Sequence, residues 1–77
     1  MIKVLIIEDS RLARLELTSL LQLWPQLQLV GEAADVPTAL SMIASAKPDL
    51  LLLDIDLAGA TAFDLLAELV FIPKIIF

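Results

Sequence analysis

Val4-Leu5-Ile6-Ile7-Glu8-Asp9-Ser10 and, further along the chain, Leu50-Leu51-Leu52-Leu53-Asp54-Ile55-Asp56 are the two stretches on which the reading of this sequence turns. In each, a short run that is apolar at every position ends abruptly on carboxylates. A run apolar on both faces and bounded by turn signals reads as a buried strand of a parallel sheet. If the two strands are neighbours, Glu8-Asp9 and Asp54-Ile55-Asp56 meet at one sheet edge. Open α/β sheets bind ligands at that edge, outside the carboxyl ends of the strands, where the strand order reverses. Three or four carboxylates gathered in one crevice repel each other, and a hard cation relieves that repulsion. Magnesium is the candidate.

Outward from these strands, the pattern alternates strand and helix, as an α/β domain with crossover helices does. The first strand covers Ile2 to Ile7, and Ser10 offers a cap for a helix that runs to about Trp24, before Pro25. Ala13, Leu17, Leu20, Leu21 and Trp24 form one stripe of that helix at helical spacing, with Leu12, Leu15 and Leu23 off it. Arg11 and Arg14 read as surface charges. The second strand spans about Gln28 to Ala33. Asp35 caps a second helix with Pro37 in its first turn and Val36, Ala39, Leu40, Ile43 and Ala44 along its buried face. Lys47-Pro48-Asp49 closes that helix and opens the third strand, Leu50 to Leu53. A loop from Asp54 to Ala60 follows. Thr61, with Asp64 three residues on, has the form of a capping box for a third helix reaching about Val70. Pro73 to Phe77 reads as a fourth strand.

The sequence has 77 residues, one domain's worth, of which 60% are hydrophobic. Its mean hydropathy of +0.93 is high for so short a domain. A chain of this size cannot hide that much apolar surface alone, so the composition predicts association with a further segment or a second copy. Formal net charge is -5, and the five basic residues, Lys3, Arg11, Arg14, Lys47 and Lys74, are scattered. No stripe suited to nucleic acid is present. There is no cysteine and no histidine, which excludes disulfides, thiolate and imidazole catalysis and the usual zinc sites. No apolar stretch approaches the ~20 residues that span a bilayer, and nothing at the N-terminus directs export, so a cytoplasmic home is expected.

Four segments together resemble the receiver domain of two-component response regulators: Val4 to Ser10, Val30-Gly31-Glu32-Ala33, Lys47 to Ile55 and Pro73 to Phe77, in that family's order and near its spacing. Leu12-Ala13-Arg14, followed by Glu16-Leu17, is similar to receivers of the LytTR class, whose regulators carry a DNA-binding domain behind the receiver. The resemblance implies a flavodoxin-like, doubly wound parallel sheet over residues 1–77, with strand order 2-1-3-4. It implies that Asp54 is the phosphoacceptor, charged by a histidine kinase. Asp9 matches the direct magnesium ligand, Glu8 its acidic neighbour acting through water, and Asp56 the position whose backbone carbonyl completes the shell. The output it implies is transcription regulation, through DNA that this stretch does not itself contact.

The resemblance has limits. Family members continue past the fourth strand into a helix, a fifth strand and a fifth helix, which hold a hydroxyl residue, a lysine and an aromatic switch that this sequence does not contain. The domain is therefore expected to be truncated after the fourth strand, with phosphorylation impaired and the missing surface replaced by homo-oligomerisation. Ala58 and Ala62 also stand where the family often has proline and glycine. Two other readings stay open: a chain that folds and assembles without accepting phosphate, and a haloacid-dehalogenase-type phosphatase using Asp54-Ile55-Asp56 as nucleophile and acid. The second lacks that motif's threonine, since Ala58 stands in its place, and leaves Glu8-Asp9 unexplained.

Overall fold

A computed structural model describes residues 1–53, 56, 57, 60, 61 and 74–76, with side chains described through Leu53 and at Ile76. The element order is β1 (Ile2–Ile7), α1 (Arg11–Leu21), β2 (Leu27–Ala33), α2 (Val36–Ala46), β3 (Leu50–Leu53), β4 (Asp56–Leu57), β5 (Ala60–Thr61) and β6 (Lys74–Ile76). Four strands form one sheet in the order β2-β1-β3-β6, and all three pairings are parallel. This is the 2-1-3-4 order expected of a doubly wound sheet, with β6 in the place of the fourth strand.

The reversal of direction at β1 decides the layers. The connection from β1 to β2 steps one way along the sheet and the connection from β2 to β3 steps back across it. Right-handed crossovers therefore put α1 and α2 on opposite faces. Leu5 and Ile7 of β1 pair in register with Leu51 and Leu53 of β3, so all four side chains share a face. There they pack with Ala33, Val36, Ala39 and Ile43 into the main core, against which Leu40 and Met42 lie half-buried. Val4 and Ile6 point the other way and are also fully buried. A strand covered on both sides has no place for a polar residue, which is why Val4 to Ile7 is a continuous apolar run.

Local chemistry sets the ends of both helices. The Ser10 hydroxyl accepts from the Ala13 amide at 3.3 Å, and an Asp35 carboxylate oxygen accepts from the Thr38 amide at 2.8 Å. Bonds from the backbone and hydroxyl of Thr38 hold the Asp35 carboxyl below its ordinary value. Pro37 sits in the first turn of α2, where no amide is needed. Lys47 ends that helix in the left-handed region at φ 48°, and its amide reaches the Ile43 carbonyl at 3.0 Å. Lys3 braces the same end, its ammonium donating to the Ala46 carbonyl at 2.8 Å while its amide donates to Asp49 at 2.9 Å.

Some details differ from the sequence reading. α1 ends at Leu21, three residues before Trp24, and the chain turns there. Its inward side is Ala13, Arg14, Leu17, Thr18 and Leu21, all half-buried, while Leu20 and Trp24 are exposed. Ala44 of α2 is exposed as well. Within the segment read as a loop, Asp56 pairs with Thr61 and Leu57 with Ala60 in a short antiparallel ladder. The third helix expected behind Thr61 falls on residues outside the described ones. Among the described residues, no helix is long and apolar enough to cross a membrane.

Candidate functional site at the edge of β1 and β3

Glu8 and Asp9 leave the sheet together at the carboxyl end of β1. The Glu8 amide still donates to the Ala33 carbonyl at 2.9 Å, so this position remains tied to β2. Beyond it the chain bends, leaving Glu8 half-buried and Asp9 exposed at the start of α1. The bend is held from within by the Ser10 amide, which donates to a Glu8 carboxylate oxygen at 3.0 Å.

Ile7 and Leu53, the last residues of β1 and β3, are register partners. In sequence, Glu8 follows the first and Asp54 the second. The strands carrying the two acidic clusters are thus direct neighbours and end level with each other, at the point where the strand order reverses. That is the crevice an open α/β sheet offers a ligand. Asp54 itself lies outside the described residues, as does the side chain of Asp56, whose backbone belongs to β4. Among the described residues, no group of three or more acidic side chains is gathered in a way that could hold a metal. Glu8 and Asp9 are the described part of the expected site.

The donors there are hard oxygens, which suit magnesium or calcium better than a soft metal. Two further oxygens of the loop are engaged by Arg14, which is no free surface charge. Arg14, one turn into α1, folds its side chain back so that Nη1 donates to the carbonyls of Glu8 at 2.8 Å and Asp9 at 3.2 Å. Its Nε stands 3.7 Å from a Glu32 carboxylate oxygen on β2, and its side chain is only 21% exposed. Arg14 occupies the backbone oxygens of Glu8 and Asp9, while the Glu8 carboxylate accepts from the Ser10 amide. A signal for this was present: Arg14 sits between Ala13 and Leu17 on the inward side of α1, where a solvated charge has no place.

The family model of the response regulator receiver domain matches residues 4–76. Sensory transduction protein LytT of Enterococcus faecalis is 44% identical over 71 residues, covering 92% of this chain and 29% of that protein. A protein-glutamate methylesterase/protein-glutamine glutaminase of Carboxydothermus hydrogenoformans is 42% identical over 67 residues, covering 87% of this chain and 20% of that protein. Among solved structures, the response regulator domain of Thermotoga maritima CheB superposes with a TM-score of 0.80 at 29% identity, over 86% of this chain and 49% of that one. The chain thus spans between a fifth and a third of these two curated relatives and about half of the solved domain.

Proposed function

This chain belongs to the response regulator receiver family, and we propose that it serves as the phosphoacceptor part of a two-component signalling protein, with Asp54 as the residue modified. The observation that carries this reading is the register of Ile7 with Leu53, which brings the ends of the strands preceding Glu8-Asp9 and Asp54 side by side.

In the proposed reaction an Asp54 carboxylate oxygen attacks the phosphorus of a phosphohistidine on a histidine kinase. The new P–O bond replaces the P–N bond, and the imidazole leaves. Phosphoryl transfer asks the protein mainly for position and charge neutralisation. Asp9 with Glu8, Asp54 and the Asp56 backbone carbonyl would hold Mg2+, which supplies positive charge to the transferring phosphoryl oxygens when bound. Glu8 and Asp9 orient that charge. The end of β3 would hold the position of the nucleophile, because that strand is hydrogen-bonded to a neighbour on each side, β1 and β6, and has little freedom to shift.

The family assignment and the LytT relative, a sensory transduction protein by name, favour a regulatory output over an enzymatic one in this part of the protein; transcription as that output and a cytoplasmic location are part of the proposal. The methylesterase relative is an enzyme by name, and this chain matches only 20% of its length. Self-association is part of the proposal, favoured by the exposed Leu12, Leu15 and Leu20 of α1, by Leu23 and Trp24 in the turn after it, and by Ile76 on the outer strand β6.

Incubation with a small-molecule phosphodonor and Mg2+ tests the reading. One phosphoryl group per chain is expected, absent without Mg2+ and absent in Asp54→Asn. Failure of the wild-type chain to incorporate phosphate would favour the reading in which it folds and assembles without accepting it.

A further inference from the structure

We infer that Arg14 is the positioning residue that holds the Glu8-Asp9 loop in its cation-binding shape. The inference rests on the proposed cation site and extends it to a residue outside the ligand set. The restraint is built at three successive residues. Arg14 Nη1 binds the carbonyls of Glu8 and Asp9, and the Ser10 amide binds the Glu8 carboxylate, at 2.8, 3.2 and 3.0 Å respectively. Arg14 is itself anchored at both ends. Its backbone amide donates to the Ser10 carbonyl at 3.0 Å as the first bond of α1, and its Nε faces Glu32 across 3.7 Å. The guanidinium therefore links the loop to α1 and to β2 at once.

The shape of a guanidinium is what the geometry uses. Its donors lie in a rigid plane, so one nitrogen can serve two adjacent carbonyls while another faces a carboxylate; an ammonium cannot be held at both points in the same way. With both carbonyls fixed, the loop cannot rotate its peptide planes, and the carboxylates of Glu8 and Asp9 keep their direction. Groups that orient metal ligands without touching the metal have large effects on affinity.

Electrostatics and positioning predict opposite signs here, which makes the inference testable. Removing a positive charge close to a cation site should tighten cation binding if charge alone matters. Losing the positioning should weaken it.

The experiment is calorimetric titration with Mg2+ of the wild-type chain, Arg14→Met, Arg14→Lys and Glu32→Gln, alongside hydrogen exchange at the Asp9 and Ser10 amides without metal. Expected are an affinity loss of about tenfold in Arg14→Met, partial recovery in Arg14→Lys, a smaller loss in Glu32→Gln and faster exchange at both amides in Arg14→Met. Unchanged or tighter Mg2+ binding in Arg14→Met overturns the inference. If Arg14→Met does not fold, Glu32→Gln and Arg14→Lys carry the test, and wild-type affinity in both overturns it. A wild-type chain that binds no Mg2+ removes the proposed cation site. The exchange then decides the positioning role alone, and unaltered amides in the variants reject it.

Discussion

Single residues carry the clearest physical constraints in this domain. The pairing of β1 with β2 shifts register between Val4 and Leu5, so Val4 faces Leu29 while Leu5 faces Gly31. Val30 is the extra residue of a bulge. At Gly31 an added Cβ would stand 3.2 Å from Met42 Sδ and 3.3 Å from Leu5 Cδ1, both closer than ordinary contact. Gly31→Val is therefore expected to destabilise the fold by about 1–3 kcal/mol, because overpacking pushes side chains off their rotamers. Chemical denaturation measures it, and a stability equal to wild type would show that Met42 and Leu5 move aside freely. The glycine could be matched to a motif in the sequence, but the reason for it could not be read there, since Leu5 and Met42 are distant in the chain. Arg14 was legible only in part: its place between Ala13 and Leu17 marks it as inward-facing, but the Glu8 and Asp9 carbonyls that it binds are backbone oxygens, which no residue pattern advertises.

Among the elements, the strands were the easiest to anticipate and α1 the hardest. β3 is apolar at every position and β1 is so from Val4 onward, and both strands end just before the first carboxylates, which sets their boundaries. Both helix caps, Ser10 and Asp35, follow from side chains that compete well for free amides. α1 carries leucine at positions 12, 15, 17, 20 and 21, on all sides, so several stripes satisfy a helical period. The stripe through Leu20 and Trp24 is one of them, and the structure leaves both side chains exposed. β4 and β5 are each two residues long, too short to show a period in the sequence. The α2 cap also makes a pH prediction. The Asp35 pKa is lowered in the folded chain from its usual 3.8 by Thr38, so its stabilising contribution is fully present above the unfolded value and is lost as pH falls through the folded one. The stability difference between wild type and Asp35→Ala should be constant near neutral pH and shrink below about pH 4. Urea unfolding across that range checks it; a difference independent of pH would assign the cap's effect to something other than the carboxylate's charge.

At the scale of the whole molecule, the apolar excess seen in the composition reappears as surface. Leu15 and Leu23 are 55% and 68% exposed and line a shallow groove along α1 and the turn after it, with Leu20, Glu16 and Ser19. Light scattering is expected to give a discrete oligomer. Leu15→Lys combined with Leu23→Lys should reduce it to a monomer with the fold intact, since neither side chain belongs to the core. A monomeric wild-type chain would reject self-association. The arrangement of the sheet was legible because two apolar runs ending in carboxylates can bring their ends together only as parallel neighbours, and β1 and β3 are such neighbours. The ligand set and its brace depend on loop geometry that sequence does not express. The central claim is that one cation site joins the ends of β1 and β3, and Mg2+ titration of wild type, Asp9→Asn and Asp54→Asn tests it most directly. One site in the wild type, lost or greatly weakened in both variants, is the expected result. Loss in Asp9→Asn with wild-type binding in Asp54→Asn would contradict it, separating the two acidic clusters.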